Sequence, residues 1–224
     1  MSDETADTET GAGVIGPHQG QQTLTAGTDL EAAEAAVVLA HGRGASARGI
    51  LGLASEIGVE GVAYLAPQAA RNEWYPNSFL APVESNEPGR SSGLRAVGDA
   101  VERAVDAGIP HERIVLGGFS QGGCLATEYA ARNPRRYGGV VAFSGGLIGE
   151  ELDDEYQGDL DGTPVFLGCS DVDPHIPAER VEATRDAFQS LGADVDMRLY
   201  QGMGHTVNED ELESARDIVA ALVG

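Results

Sequence analysis

Lysine is absent from this chain. All 14 basic residues among the 224 are arginine, against 36 acidic ones, and the formal net charge is −22. A surface so short of positive charge excludes nucleic acid and anionic membranes as expected partners, because both need cationic contacts. Solvated acidic surfaces are common in soluble proteins. An excess of this size without lysine reads further as adaptation to high salt. At molar salt the screening length falls to ~3 Å, which quiets carboxylate repulsion. Short acidic side chains also stay hydrated where lysine stems would show methylenes. Cysteine is scarce as well: Cys124 and Cys169 fall in a helix candidate and at the end of a strand candidate. That pattern excludes a disulfide framework and reads as two buried thiols in a reducing compartment, the cytoplasm. No His/Cys cluster has zinc spacing, so no metal is expected. No Gly-Lys-Ser/Thr exists, which excludes a P-loop. No apolar run approaches the ~20 residues of a membrane span. The N-terminus is acidic and has no apolar signal-peptide region, so residues 1–12 read as a disordered tail. Residues 13–224, in a chain that is 42% hydrophobic, suffice for one domain.

What is present is a βαβ rhythm. Apolar strand candidates lie at 36–40, 62–65, 113–116, 138–143, 164–168 and 195–200, with a possible edge strand at 21–26. Helical spacing marks 46–57, 92–107, 123–132, 178–191 and 209–223. Strands that alternate with helices, and that read as continuous apolar runs, predict a mostly parallel sheet covered by helices on both faces. Between 68 and 89 runs a loop rich in Asn, Pro and aromatics. An acidic loop follows at 145–162, too short for a large cap domain.

The chemistry centres on Gly118-Phe119-Ser120-Gln121-Gly122, a G-x-S-x-G between a strand and a helix candidate. By chance it would be a glycine-rich turn with an incidental serine. In context it predicts a nucleophile elbow, in which the turn lifts the serine oxygen clear and aims a helix N-terminus at the reaction centre. A serine nucleophile needs a base and an orienting acid, here in the order Ser, Asp, His. The expected base is His205, in Gly202-Met203-Gly204-His205 after the last strand. His175 is the rival and reads as a loop residue beside the site. The expected acid is Asp173, restrained by Pro174, with Asp171 bracing the same turn. Backbone donors for an oxyanion are expected from Gln121 and from Arg43 in His41-Gly42-Arg43-Gly44. The Arg43 side chain would meet an anionic substrate or point to solvent, and His41 would lock its loop. Gly42-Arg43-Gly44-Ala45-Ser46-Ala47 also matches a dinucleotide fingerprint. The following strand, however, ends Tyr64-Leu65-Ala66-Pro67 without the acid that a ribose needs.

Taken in order, the His41–Gly44, Gly118–Gly123, Asp173-Pro174-His175-Ile176-Pro177 and Gly202–His205 motifs resemble the phospholipase/carboxylesterase family of α/β-hydrolases, which includes the acyl-protein thioesterases. The resemblance spans nearly the whole chain after the tail. It implies the α/β-hydrolase fold, Ser120, Asp173 and His205 as a triad, and hydrolysis of carboxylic esters or thioesters without a cofactor. Two departures stand out. Arg43 replaces an often apolar residue, and Trp74-Tyr75-Pro76-Asn77-Ser78-Phe79 looks more like a bacterial and archaeal esterase branch.

In a chain with 5% aromatics, the Trp74, Tyr75 and Phe79 cluster is either packing that holds its loop down or an apolar wall for the substrate. The wall reading makes Trp74, Tyr75, Phe79 and Leu147 the substrate-binding residues, with Ile148 beside Leu147 at the rim. The expectation is a serine esterase for short to medium acyl chains, acting on a small-molecule ester as monomer or homodimer. A thioesterase or lysophospholipase with the same triad is the enzymatic alternative. A ligand-binding protein on a hydrolase scaffold is the non-enzymatic one.

Overall fold

The computed structural model describes residues 16–152 and 156–224; the tail assigned to 1–12 lies outside the described residues. The apolar run at 36–40 forms β2 (Ala35–Ala40), buried along its whole length. Its neighbours are β3 (Val62–Pro67) and β4 (Ile114–Phe119), both parallel to it. Beyond β4 follow β5 (Gly139–Phe143), β6 (Pro164–Ser170) and β7 (Asp194–Tyr200), again parallel. The edge strand β1 (Thr23–Gly27) pairs antiparallel with β3. The sheet order is β1-β3-β2-β4-β5-β6-β7.

Alternation along β2 divides the core. Ala36, Val38 and Ala40 face one helical layer, and Ala35, Val37 and Leu39 face the other. The period-two geometry of a strand requires such a division when both faces are covered. The first layer is α3 (Gly89–Asp106), α4 (Gln121–Arg132) and α5 (Ala178–Ser190), which bury Val97, Val101, Leu125, Ala130, Val181 and Phe188. The second is α1 (Ala47–Ile50), α2 (Gly52–Ile57) and α6 (Glu209–Ala220), which bury Ile50, Ala54, Leu212, Ala215 and Val219. This is the α/β-hydrolase architecture.

Boundaries moved where packing overrode pattern. The helix expected at 46–57 is two short ones meeting at Leu51, where Gly49 and Gly52 both weaken helical preference. The helix α3 begins at Gly89, three residues before Ser92, at a position where a side chain would lie 2.6 Å from the Trp74 carbonyl oxygen. Only glycine lets that helix end approach the loop so closely. The segment 145–162 carries no helix or strand among its described residues, and no large cap is evident among the described residues.

The chain lays down β1 at the edge, then β2, steps outward to β3 between them, and returns past β2 to β4, from which it builds the other way. The reversal lies between β2 and β4, which are in register from Ala36–Ile114 to Ala40–Gly118. Open α/β sheets place their binding crevice at the carboxyl ends of the strands flanking such a switch. Here those ends are His41-Gly42-Arg43-Gly44 and Ser120.

Candidate active site

At the end of β4 the backbone turns into α4 through a single residue. Ser120 has φ 57° and ψ −122°, a conformation that costs a non-glycine residue on the order of 1–3 kcal/mol. The glycines on either side make the turn possible. A Cβ on Gly122 would lie 2.0 Å from the Ala40 carbonyl oxygen, and one on Gly118 would lie 2.4 Å from the Gly122 carbonyl carbon. The elbow is held by Ser120 N–H to Phe143 O at 2.9 Å and Cys124 N–H to Ser120 O at 2.9 Å. With α4 starting at Gln121, its N-terminal dipole points at the serine.

Two loops bring partners to Ser120. The turn after β7 contains Gly202 and Gly204 at positive φ, 65° and 80°. Gly202 N–H donates to Asp171 Oδ1 at 2.7 Å, and Gly204 N–H donates to Ser170 Oγ at 3.1 Å. The turn so braced sets His205 Nε2 2.8 Å from Ser120 Oγ and Nδ1 2.7 Å from Asp173 Oδ2. Asp173 Oδ1 accepts from His175 N–H at 2.8 Å and Ile176 N–H at 3.0 Å. Burial works against the Asp173 charge. The hydrogen bond from His205 and the two amides outweigh it and hold the carboxyl below its usual range. An ionised carboxylate only accepts, so Nδ1 carries the ring proton. Nε2 is then left to accept from the Ser120 hydroxyl.

The serine opens onto a cleft of about 480 Å³ lined by Tyr75, Pro76, Asn77, Ser78, Phe79, Phe119, Cys124, His175 and Ile176, with Arg43, Gln121 and His205. The Arg43 and Gln121 N–H groups have no acceptor among the described residues. Burial pushes the Cys124 thiol up to about 12, so it stays protonated at neutral pH and offers no rival nucleophile. No group of three His, Cys, Asp or Glu side chains among the described residues could hold a metal, and none of their helices is long and apolar enough to cross a membrane.

The phospholipase/carboxylesterase sequence profile matches residues 27–223. The chain belongs to that family. Among solved structures it is similar to a phospholipase/carboxylesterase from Dyadobacter fermentans, at 42% identity over 89% of this chain and 96% of that one, with a TM-score of 0.86. It is also similar to acyl-protein thioesterase 1 of Saccharomyces cerevisiae, 30% identical over 66% of this chain and 64% of the relative. The Kluyveromyces lactis protein of that name is 34% identical over 56% and 57%. The chain spans roughly half to two thirds of the length of these thioesterase relatives, from 49% to 64%.

The family motifs therefore converge, but the aromatic segment divides. Tyr75 and Phe79 line the cleft. Trp74 is not among the lining residues; its side chain, buried like that of Tyr75, is engaged elsewhere. Its indole N–H donates to His41 O at 2.8 Å, and its ring packs between His18 and His41, 5.2 and 5.0 Å away. Leu147 is also displaced from its expected place. Its N–H bonds Thr184 Oγ1 at 3.0 Å, while Arg180 bonds its carbonyl oxygen at 3.0 Å and that of Gly149 at 2.8 Å. These bonds draw the segment down onto α5, so Leu147 and Ile148 are buried and off the rim. Pro76, Asn77 and Ser78 stand in their place with Phe119, whose ring lies 4.8 Å from that of His205.

His41 locks its loop as expected, with Nδ1–H donating to Gly42 O at 2.8 Å and Nε2 accepting from Ala69 N–H at 3.1 Å. His175 is a neighbour of the site, its ring 4.9 Å from that of His205. Sequence reasoning missed Phe119 and Cys124 as lining residues. Cys124 was within reach, since it lies one helical turn after Ser120.

Proposed function

We propose that this chain is a serine hydrolase of carboxylic esters with short to medium acyl chains. The observation that carries the reading is the continuous Ser120–His205–Asp173 hydrogen-bond chain, at 2.8 and 2.7 Å, beside two amides without acceptors and an uncapped cleft. Ser120 Oγ attacks the ester carbonyl while His205 Nε2 takes its proton. Asp173 keeps the imidazole in that tautomer and stabilises the imidazolium without taking the proton. The Arg43 and Gln121 amides receive the oxyanion. His205 returns the proton to the leaving alcohol, and water, activated by the same histidine, releases the acyl-enzyme.

The thioesterase names of the fungal relatives favour a second substrate class, thioesters, which the same triad would cleave. A pure ligand-binding role has less support, because a binder needs neither base nor acid. The reading takes 13–224 as one domain, a monomer or homodimer in the cytoplasm of a salt-adapted cell, needing no cofactor. Its test is a p-nitrophenyl ester series from acetate to palmitate, run beside an acyl-thioester, with fluorophosphonate labelling. Wild type should cleave the short esters and be labelled, and Ser120→Ala should do neither while melting at the wild-type temperature. Labelling that survives in Ser120→Ala would overturn the assignment.

A further inference from the structure

The Arg43 side chain is about 41% exposed, yet its guanidinium is engaged by acceptors of its own chain. Its Nη1 donates to Glu73 Oε2 at 3.0 Å and Pro76 O at 2.9 Å. Its Nη2 donates to Tyr75 O at 2.8 Å and Asn77 O at 2.6 Å. Three of the four acceptors are consecutive carbonyls of the segment that lines the cleft. Gln121 holds the same segment from the other side. Its Oε1 accepts from Trp74 N–H at 2.8 Å, and its Nε2 donates to Tyr75 O at 2.9 Å. The two cleft-lining residues whose amides have no acceptor among the described residues therefore send their side chains to one shared carbonyl, that of Tyr75. Gly44 N–H adds a backbone bond to Asn72 O at 2.7 Å.

We propose that the Arg43 side chain is a positioning residue that makes the cleft wall at 75–79 and the oxyanion amides one rigid unit, so that one side chain sets both acyl-chain selectivity and turnover. This rests on the ester-hydrolase reading. The shape of the fork is what matters. Two terminal nitrogens with fixed planar donors can serve four acceptors at once, whereas the single ammonium of lysine cannot span them. Carbonyl acceptors carry no formal charge, so most of the staple is not an ion pair and persists at high salt, where the Arg43–Glu73 pair is screened.

The test uses the full chain and the variants Arg43→Ala, Arg43→Lys and Glu73→Gln. Trp74, the only tryptophan, lies inside the stapled segment and reports on it without substrate through acrylamide quenching. Arg43→Ala should raise that quenching and lower kcat on butyrate by about ten-fold, since small displacements of positioned groups cost rate. It should also pull the butyrate-to-acetate ratio of kcat/KM toward one. Arg43→Lys should fall between Arg43→Ala and wild type, and Glu73→Gln should stay near wild type. If Arg43→Ala does not fold, Arg43→Lys carries the same comparisons. Unchanged quenching, or raised quenching with an unchanged selectivity ratio, overturns the proposal, the latter because it would leave a purely structural role. If wild type cleaves no ester and Ser120 is not labelled, the ester-hydrolase reading has failed instead, and the Trp74 quenching alone then decides whether the staple exists.

Discussion

Asp173→Asn changes one atom of the hydrogen-bond chain and should nearly abolish turnover. The size of the effect follows from which oxygen is tied down. Asp173 Oδ1 accepts two amide N–H groups, from His175 and Ile176. In the asparagine variant only the oxygen can accept those bonds, so the amide nitrogen must take the place of Oδ2, 2.7 Å from His205 Nδ1. Two donors would then face each other. The relief is for the ring proton to move to Nε2, 2.8 Å from Ser120 Oγ, where the base is needed. A triad histidine held in the wrong tautomer loses about 10⁴ in turnover, equivalent to about 5.4 kcal/mol of transition-state stabilisation. Asp171→Asn is the control. Its Oδ1 accepts Gly202 N–H at an exposed position, and asparagine retains that acceptor, so the loss should stay within about two-fold, as for ordinary surface changes. The assay is kcat on p-nitrophenyl butyrate with the rate of fluorophosphonate labelling, each variant being checked by its melting temperature. An Asp173→Asn enzyme that kept a tenth of wild-type turnover, or an Asp171→Asn enzyme that was the worse of the two, would refute the reasoning.

Trp74→Ala should lower stability by about 3–5 kcal/mol, the usual cost of emptying a buried aromatic site. It should reduce activity on every ester alike, and Phe79→Ala should alter the ratio between butyrate and acetate. A length-dependent loss in the Trp74 variant without loss of stability, read from an unchanged denaturant midpoint, would put its ring back at the substrate. His18 and His41 are both held below the usual histidine value, chiefly by burial. The unfolded chain therefore binds more protons, and their contribution is complete above about pH 6.5 and lost as pH falls through the folded values. Glu211 acts in the opposite sense. Burial raises it to about 7, so its contribution is lost as pH rises from about 4.5 through about 7. Urea midpoints at pH 5 and 8 should show Glu211→Gln gaining stability at pH 8 relative to wild type and, in that background, weaker folding at pH 5. A midpoint in that background that held or rose at pH 5 would contradict the histidine assignment. The melting temperature should be higher in about 3 M than in about 0.1 M potassium chloride, because the screening length falls from roughly 10 Å to under ~3 Å. A flat or falling value would refute the salt-adaptation reading.

The sheet was legible because its signals are local. Continuous apolar runs such as 36–40 can only be buried on both faces, and G-x-S-x-G states its own geometry, since only glycine at 118 and 122 permits the close approach seen at Ser120. Asp173 was distinguishable from Asp171 by the proline that follows it, and Gly202 and Gly204 announced the turn that carries His205. The lining of the cleft was not legible. Trp74, Tyr75 and Phe79 have the same apolar character in sequence. What separates them is that the Trp74 indole finds His41 O and two histidine rings behind the loop, whereas Tyr75 and Phe79 meet the cleft. Leu147 left the rim because Arg180 and Thr184, more than thirty residues away along the chain, bind its backbone. The four acceptors of Arg43 likewise come from a segment about thirty residues further on. Periodicity, glycine placement and motif order therefore determined the fold and pointed to Ser120, His205 and Asp173, which the structure brings within hydrogen-bond distance, each being a constraint that a chain imposes on its own neighbourhood. Which residues line the cleft was decided by long-range hydrogen bonds, and those partners meet only after the sheet has formed.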